Sequence, residues 1–238
     1  MSWRIEHASP LASLRELPDR LCQTSILRVP RAFPESGVTT VLRELHRVTR
    51  DDGTLWLGGA AYTSAALEAG WHRPTSPAVH PRPRDGERGC MALTLLAKQP
   101  DFYFNLSQPV RLVSRRGCGQ AIAQRGPRQR RRAWCVRPIS DRELPRQLIE
   151  WCLRASTSPR SCQACGAPWR RHAGAWRPGC EHGNGRGHCL VLDPFCETGE
   201  TGIVTVLAGR SFLGIEQDLR LARCAQRRLA TAVAARPQ

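Results

Sequence analysis

The alternation of apolar and polar residues divides the chain into short strand-like and helix-like pieces. Trp3–His7 and Cys22–Leu27 have the short bounded form of strands. Between them, Ser9 stands where a helix cap belongs, and Leu11, Leu14 and Leu17 follow at helical spacing. Val38, Val41, Leu42, Leu45 and Val48 fall on one stripe and predict a helix over 38–48. A tight turn at Arg50–Gly53 should then lead into a strand over 54–59. A strand is also expected at 91–98, with a hairpin partner at 101–105. Leu144, Leu148, Trp151, Cys152 and Ala155 mark a helix over 141–155. The last fifty residues carry the clearest pattern: a buried-type strand at 188–195, a glycine-bearing turn into a helix, a strand at 210–218, and an apolar-striped helix at 219–233. Strands that alternate with helices imply an α/β fold with a parallel sheet.

Within that last unit the predicted strand ends at Asp193, the turn holds Gly199 and Gly202, and the next strand ends at Glu216. Small residues let the backbone approach a bound nucleotide or sulfonium cofactor. The helix N-terminus offers N–H groups to a cofactor carboxylate, and an acid at the end of the second strand accepts hydrogen bonds from ribose hydroxyls. A phosphate loop is disfavoured because no Gly-Lys-Ser/Thr is present, and a dinucleotide fingerprint is absent. An α/β crossover without a ligand is the plain alternative.

The segment LDPFCETGETG, with GRSFLGIEQD after it, resembles the cofactor region of adenine-N6 and cytosine-N4 DNA methyltransferases. Asp193, Pro194, Phe195, Cys196, Gly199, Thr201 and Gly202 match that pattern, and Glu216 matches its ribose-binding acid. Glu197 stands in place of a glycine and Glu200 in place of a threonine. Weaker similarity to the permuted members, in which the catalytic residues precede the cofactor loop, runs through most of the chain. The resemblance implies a Rossmann-like fold that uses S-adenosylmethionine, reduced in its middle, as a single domain over 1–238. Asp193, Pro194, Phe195, Cys196, Gly199, Thr201 and Glu216 would hold the cofactor. The expected chemistry is methyl transfer to an exocyclic amine of DNA. The implied setting is restriction-modification, with double-stranded DNA as partner.

That family positions the amine with Asp, Asn or Ser followed by Pro-Pro and an aromatic residue, which stacks on the flipped base. Here the corresponding run is Ser25, Ile26, Leu27 and Arg28, so only the serine remains as a candidate catalytic residue. The short link to the next helix is consistent with a deletion. Glu197 and Glu200 also place negative charge near the expected cofactor carboxylate. A rival reading follows: a catalytically inactive homologue that binds DNA or a partner protein.

Charge and cysteine content extend this picture. Lys and Arg number 36 against 20 Asp and Glu, a formal net charge of +16, and Lys98 is the only lysine. Arginine suits phosphate and base-edge contacts, although GC-rich coding would give the same composition. The basic loop at 111–133, with Arg128–Arg132 as its densest part, is expected to touch DNA backbone or simply to be solvated. The 11 cysteines are an odd number and mostly dispersed, which argues against a disulfide scaffold. Cys162-x-x-Cys165 before Gly166, with Cys180 and His182 after 14 further residues, forms a candidate structural zinc site in an insertion at 160–189. Cys189 is a spare ligand. With no signal-peptide pattern and no apolar run long enough for a bilayer, a cytoplasmic location without membrane attachment is expected.

Overall fold

A computed structural model describes residues 2–58, 60–74, 93–105 and 144–235. The basic loop at 111–133 lies outside these residues. Strands β1 (Trp3–His7), β2 (Cys22–Arg28), β3 (Thr49–Gly58), β4 (Leu93–Ala97), β7 (Leu190–Asp193) and β8 (Ser211–Glu216) form one sheet in the order β1-β8-β7-β2-β3-β4. All pairings are parallel except β3 with β4. A separate antiparallel hairpin joins β5 (Arg170–His172) to β6 (Ala175–Arg177).

Helices cover both faces, as a parallel sheet requires. On one face lie α1 (Pro10–Glu16), α2 (Glu35–Val48) and α3 (Thr63–Glu68), over Leu27, Leu55, Leu57, Leu192 and Ile215. On the other lie α4 (Arg146–Ser156), α5 (Glu200–Leu207) and α6 (Leu219–Ala234), over Ile26, Trp56, Val191 and Phe212. Ile26 and Leu27 enter opposite clusters because successive strand residues point to opposite faces. The five-residue stripe of α2 is wholly buried, as are the five apolar positions expected along 141–155.

Three local expectations are corrected. Residues 50–53 are not a free turn: β3 already begins at Thr49, and its register with β2 shifts between Cys22 and Thr24. Residues 101–105 make no strand, because their amides bond elsewhere: Tyr103 N–H donates to the Asp52 carbonyl and Asn105 N–H to the Ala155 carbonyl. Ser9 occupies the cap position of α1 without a side-chain capping bond, whereas Asp218 caps α6 by accepting from Arg220 and Leu221 N–H.

The strand order reverses between β7 and β2. Chain order runs outward from β7 to β8 on one side, where β1 adds the edge strand, and from β2 through β3 to β4 on the other. Such a switch point opens a crevice at the carboxyl ends of the strands. Helix α5 sits close above it because Gly202 has no side chain: a Cβ there would lie 2.5 Å from the Phe212 ring. Gly202→Ala should therefore destabilise the protein by roughly 1–3 kcal/mol through overpacking, read as a lower urea midpoint at unchanged slope.

Candidate cofactor-binding site

The carboxyl ends of β7 and β8 bring Asp193 and Glu216 together, both buried. Asp193 follows Leu192, which pairs with Leu213 in β8 and with Ser25 in β2, so it stands at the switch point. Its Oδ1 accepts Phe195 N–H at 3.1 Å, and the Thr201 side chain also hydrogen-bonds it. Glu216 closes the loop from the other strand. Its Oε2 accepts Glu197 N–H at 2.9 Å and its Oε1 accepts Asp218 N–H at 2.9 Å. Each oxygen keeps a lone pair for a further donor. Pro194, Phe195 and Cys196 are buried where the chain turns off β7. Cys196 N–H donates to the Ile215 carbonyl, which fixes the turn against β8.

The loop glycines also have a packing role that their spacing does not reveal. Gly199 has φ +83, and a Cβ there would lie 2.8 Å from Leu229 and 2.9 Å from the Ala225 side chain. Both Gly199 and Gly202 thus permit close packing of protein on protein. Glu197 adopts φ 46, a left-handed conformation that favours glycine. Glu200 meets guanidinium groups from two other helices. It is buried, ion-paired to Arg146 at the start of α4, and held by Arg228 of α6 at 2.5 Å. Its charge is therefore matched by two guanidinium groups, in contrast to the unfavourable balance expected from sequence.

Ser25 lies inside β2 with no exposure; its hydroxyl is 3.7 Å from the Cys22 sulfur. β2 continues as strand through Ile26, Leu27 and Arg28, and the link to α2 is only Val29–Pro34. Sequence reasoning did not single out Phe33 in that link. Its ring meets the Phe195 ring edge-on at a centroid distance of 4.8 Å. Arg28, the last residue of β2, has an Nη1 that is buried without a hydrogen-bond partner.

Away from the crevice, Cys162, Cys165, Cys180 and His182 converge, with all four ligand atoms within 4.8 Å of one another. Tetrahedral zinc with ~2.3 Å bonds to sulfur needs ligand atoms about 3.8 Å apart, so the set fits one ion. Gly166 supplies the left-handed turn at φ +71, and its N–H donates to the Cys162 carbonyl at 2.8 Å. The backbone amides of Cys165 and Ala164 hold the Cys162 thiol below its ordinary pKa. Cys189 is buried at the foot of β7 and stands outside the set.

Burial raises the Asp193 pKa to about 7, with Glu197 and Glu216 adding to the effect against the hydrogen bonds from Thr201 and Phe195. An unfolded aspartate titrates near ~3.9. Between those values the folded chain holds a proton that the unfolded chain releases. The stability contribution of this group is therefore intact below about pH 4 and falls as pH rises towards 7. Asp193→Asn should flatten that decline, on the order of 1.4 kcal/mol per pH unit, in denaturant unfolding at pH 5 and pH 7.5.

No family model matches the chain, and no curated protein matches it. Solved structures do. The putative DNA modification methylase TTHA0409 from Thermus thermophilus, complexed with S-adenosyl-L-methionine, is 17% identical, with 98% of this chain and 95% of that chain covered and a TM-score of 0.58. The PvuII DNA methyltransferase, cytosine-N4-specific, is 11% identical over 98% of this chain and 92% of that chain, with a TM-score of 0.57. The M1.HpyAVI–SAM complex is 16% identical over 95% of this chain and all of that chain, at 0.54. Over nearly its whole length, the chain has the Rossmann-like fold of these DNA methyltransferase structures.

Proposed function

We propose that the chain binds S-adenosylmethionine at the carboxyl ends of β7 and β8, and that it acts on the exocyclic amine of adenine or cytosine in double-stranded DNA. The observation that carries this reading is the acidic pair Asp193 and Glu216 at the switch point, buried and without an ion-pair partner among the described residues. Such a site suits a cationic cofactor whose ribose needs acceptors. Glu216 has lone pairs left for ribose hydroxyls, and a nearby positive charge favours ionised Asp193. When bound, S-adenosylmethionine supplies a methyl group activated by its sulfonium. The roles of the chain are to orient it through Glu216, to set the local charge through Asp193, and to close the loop with Pro194, Phe195, Cys196, Gly199 and Thr201.

A second reading, a binder that has lost methyl transfer, is favoured by one observation: Ser25 is fully buried in β2. From that position it does not present its hydroxyl to a flipped base, and Arg28 stands where the resemblance expects an aromatic ring. Calorimetric titration with S-adenosylmethionine is expected to show binding that Glu216→Gln weakens at least tenfold, about 1.4 kcal/mol. An absence of binding by the unaltered chain overturns the proposal. Radiolabelled methyl transfer to mixed DNA separates the readings: incorporation establishes the enzyme, and binding without incorporation establishes the inactive homologue.

We also propose that Cys162, Cys165, Cys180 and His182 hold structural zinc. Four protein ligands leave no open coordination position for catalysis. Elemental analysis should find one zinc per chain, lost together with several degrees of thermal stability in Cys162→Ser. Zinc-free protein from a zinc-replete preparation sinks this assignment.

A further inference from the structure

The Cys/His segment stands at the opposite end of the sheet from the proposed cofactor site. β7 runs from this segment towards Asp193, so the segment lies at the amino ends of the parallel strands. Its anchors agree. Arg50 Nη1, at the start of β3, donates to the Cys165 carbonyl at 2.8 Å. Ser161 is bridged to Pro168 and Gly187.

From this base the β5–β6 hairpin projects a dense positive charge. Residues 160–188 contain Arg160, Arg170, Arg171, Arg177 and Arg186 against Glu181 as the sole acid. All but Arg170 are exposed. Arg170 and Arg177 are directly opposed across the hairpin. Like charges at such positions destabilise a two-stranded ribbon. Asp52 and Asp101 relieve Arg170 only at 3.8 and 3.9 Å, and Arg177 has no carboxylate partner among the described residues. The opposite face carries Arg171 paired with the half-buried Trp176. An arrangement that costs the isolated protein stability gains from a polyanion placed across it.

We infer that this hairpin is a second nucleic-acid contact, gripping the phosphate backbone of duplex DNA at the pole of the molecule away from the proposed cofactor crevice. This rests on the reading of DNA as the substrate. A two-stranded ribbon has the width that a duplex groove admits. Arginine forks match phosphate oxygens in pairs, and a partly exposed tryptophan adds a face for sugar or base. An acidic protein is the less fitting partner, since the hairpin lacks the apolar centre of a protein interface. The contact is one of position and affinity, without sequence readout.

The test is anisotropy titration of a labelled duplex across a salt series with the full chain, Arg171→Glu/Arg177→Glu, and a charge-matched control, Arg15→Glu/Arg43→Glu, at exposed sites on α1 and α2. Zinc content and S-adenosylmethionine titration are measured in parallel. The hairpin variant is expected to bind DNA at least tenfold more weakly than the control, with a salt slope shallower by about two, and with zinc and cofactor binding unchanged. DNA binding within twofold of the control overturns the inference and leaves the proposed function standing. Hairpin-dependent DNA binding in a chain that binds no S-adenosylmethionine supports the inference and fails the proposed function. Preferential displacement by polyglutamate over unlabelled duplex of equal charge assigns the hairpin to an acidic protein and overturns it.

Discussion

The parallel pairing of β7 with β2 is the constraint on which the rest depends. Through Thr24 opposite Val191 and Ser25 opposite Leu192, two strands far apart in sequence become neighbours at the sheet centre. Both are buried on both faces, so their side chains are fixed by core packing. Asp193 then stands at the point where strand order reverses. The loop after it crosses the end of β8, where Glu216 accepts the Glu197 N–H. The acidic crevice is thus a consequence of sheet order more than of any single loop residue.

The same pairing explains why Ser25 lies where it does. A residue in register with Leu192 belongs to the interior of the sheet, and its neighbours carry the strand three residues further. A positioning serine would have to stand at the strand end. The chain has the fold of the DNA methyltransferase structures, and its run from Ser25 to Arg28 is a continuous piece of strand β2. Arg28 Nη1, at the end of that run, is buried without a hydrogen-bond partner, and an unmatched buried donor opposes folding.

Charge is distributed with a similar division of labour. At the carboxyl ends of the strands, Asp193 and Glu216 have no counter-ion among the described residues, while Glu200 is neutralised by Arg146 and Arg228, tying α4, α5 and α6 together. At the amino ends, the Cys/His segment concentrates arginine on a small hairpin. The two poles therefore suit ligands of opposite sign.

By itself the sequence determined the alternation of strands and helices, the stripe of α2, the buried positions around α4, the unit from β7 to α6, and the four Cys/His positions. These are local signals, written by side-chain periodicity and close spacing. It misread 50–53, whose Asp52 and Gly53 carbonyls accept from Tyr103 and Lys98, and 101–105, where amides find partners distant in the chain. It did not show that Gly199 and Gly202 also clear space for Leu229, Ala225 and Phe212. It set Glu200 against the cofactor, unaware of two arginines brought from 54 residues before and 28 residues after. Only the tertiary structure decided those matters, because packing and ion pairing depend on which segments meet. The opposition of Arg170 to Arg177, and the separation of the arginine hairpin from the acidic crevice by the length of β7, belong to that same class. Periodicity tells a residue which face it occupies; the sheet tells it what lies opposite.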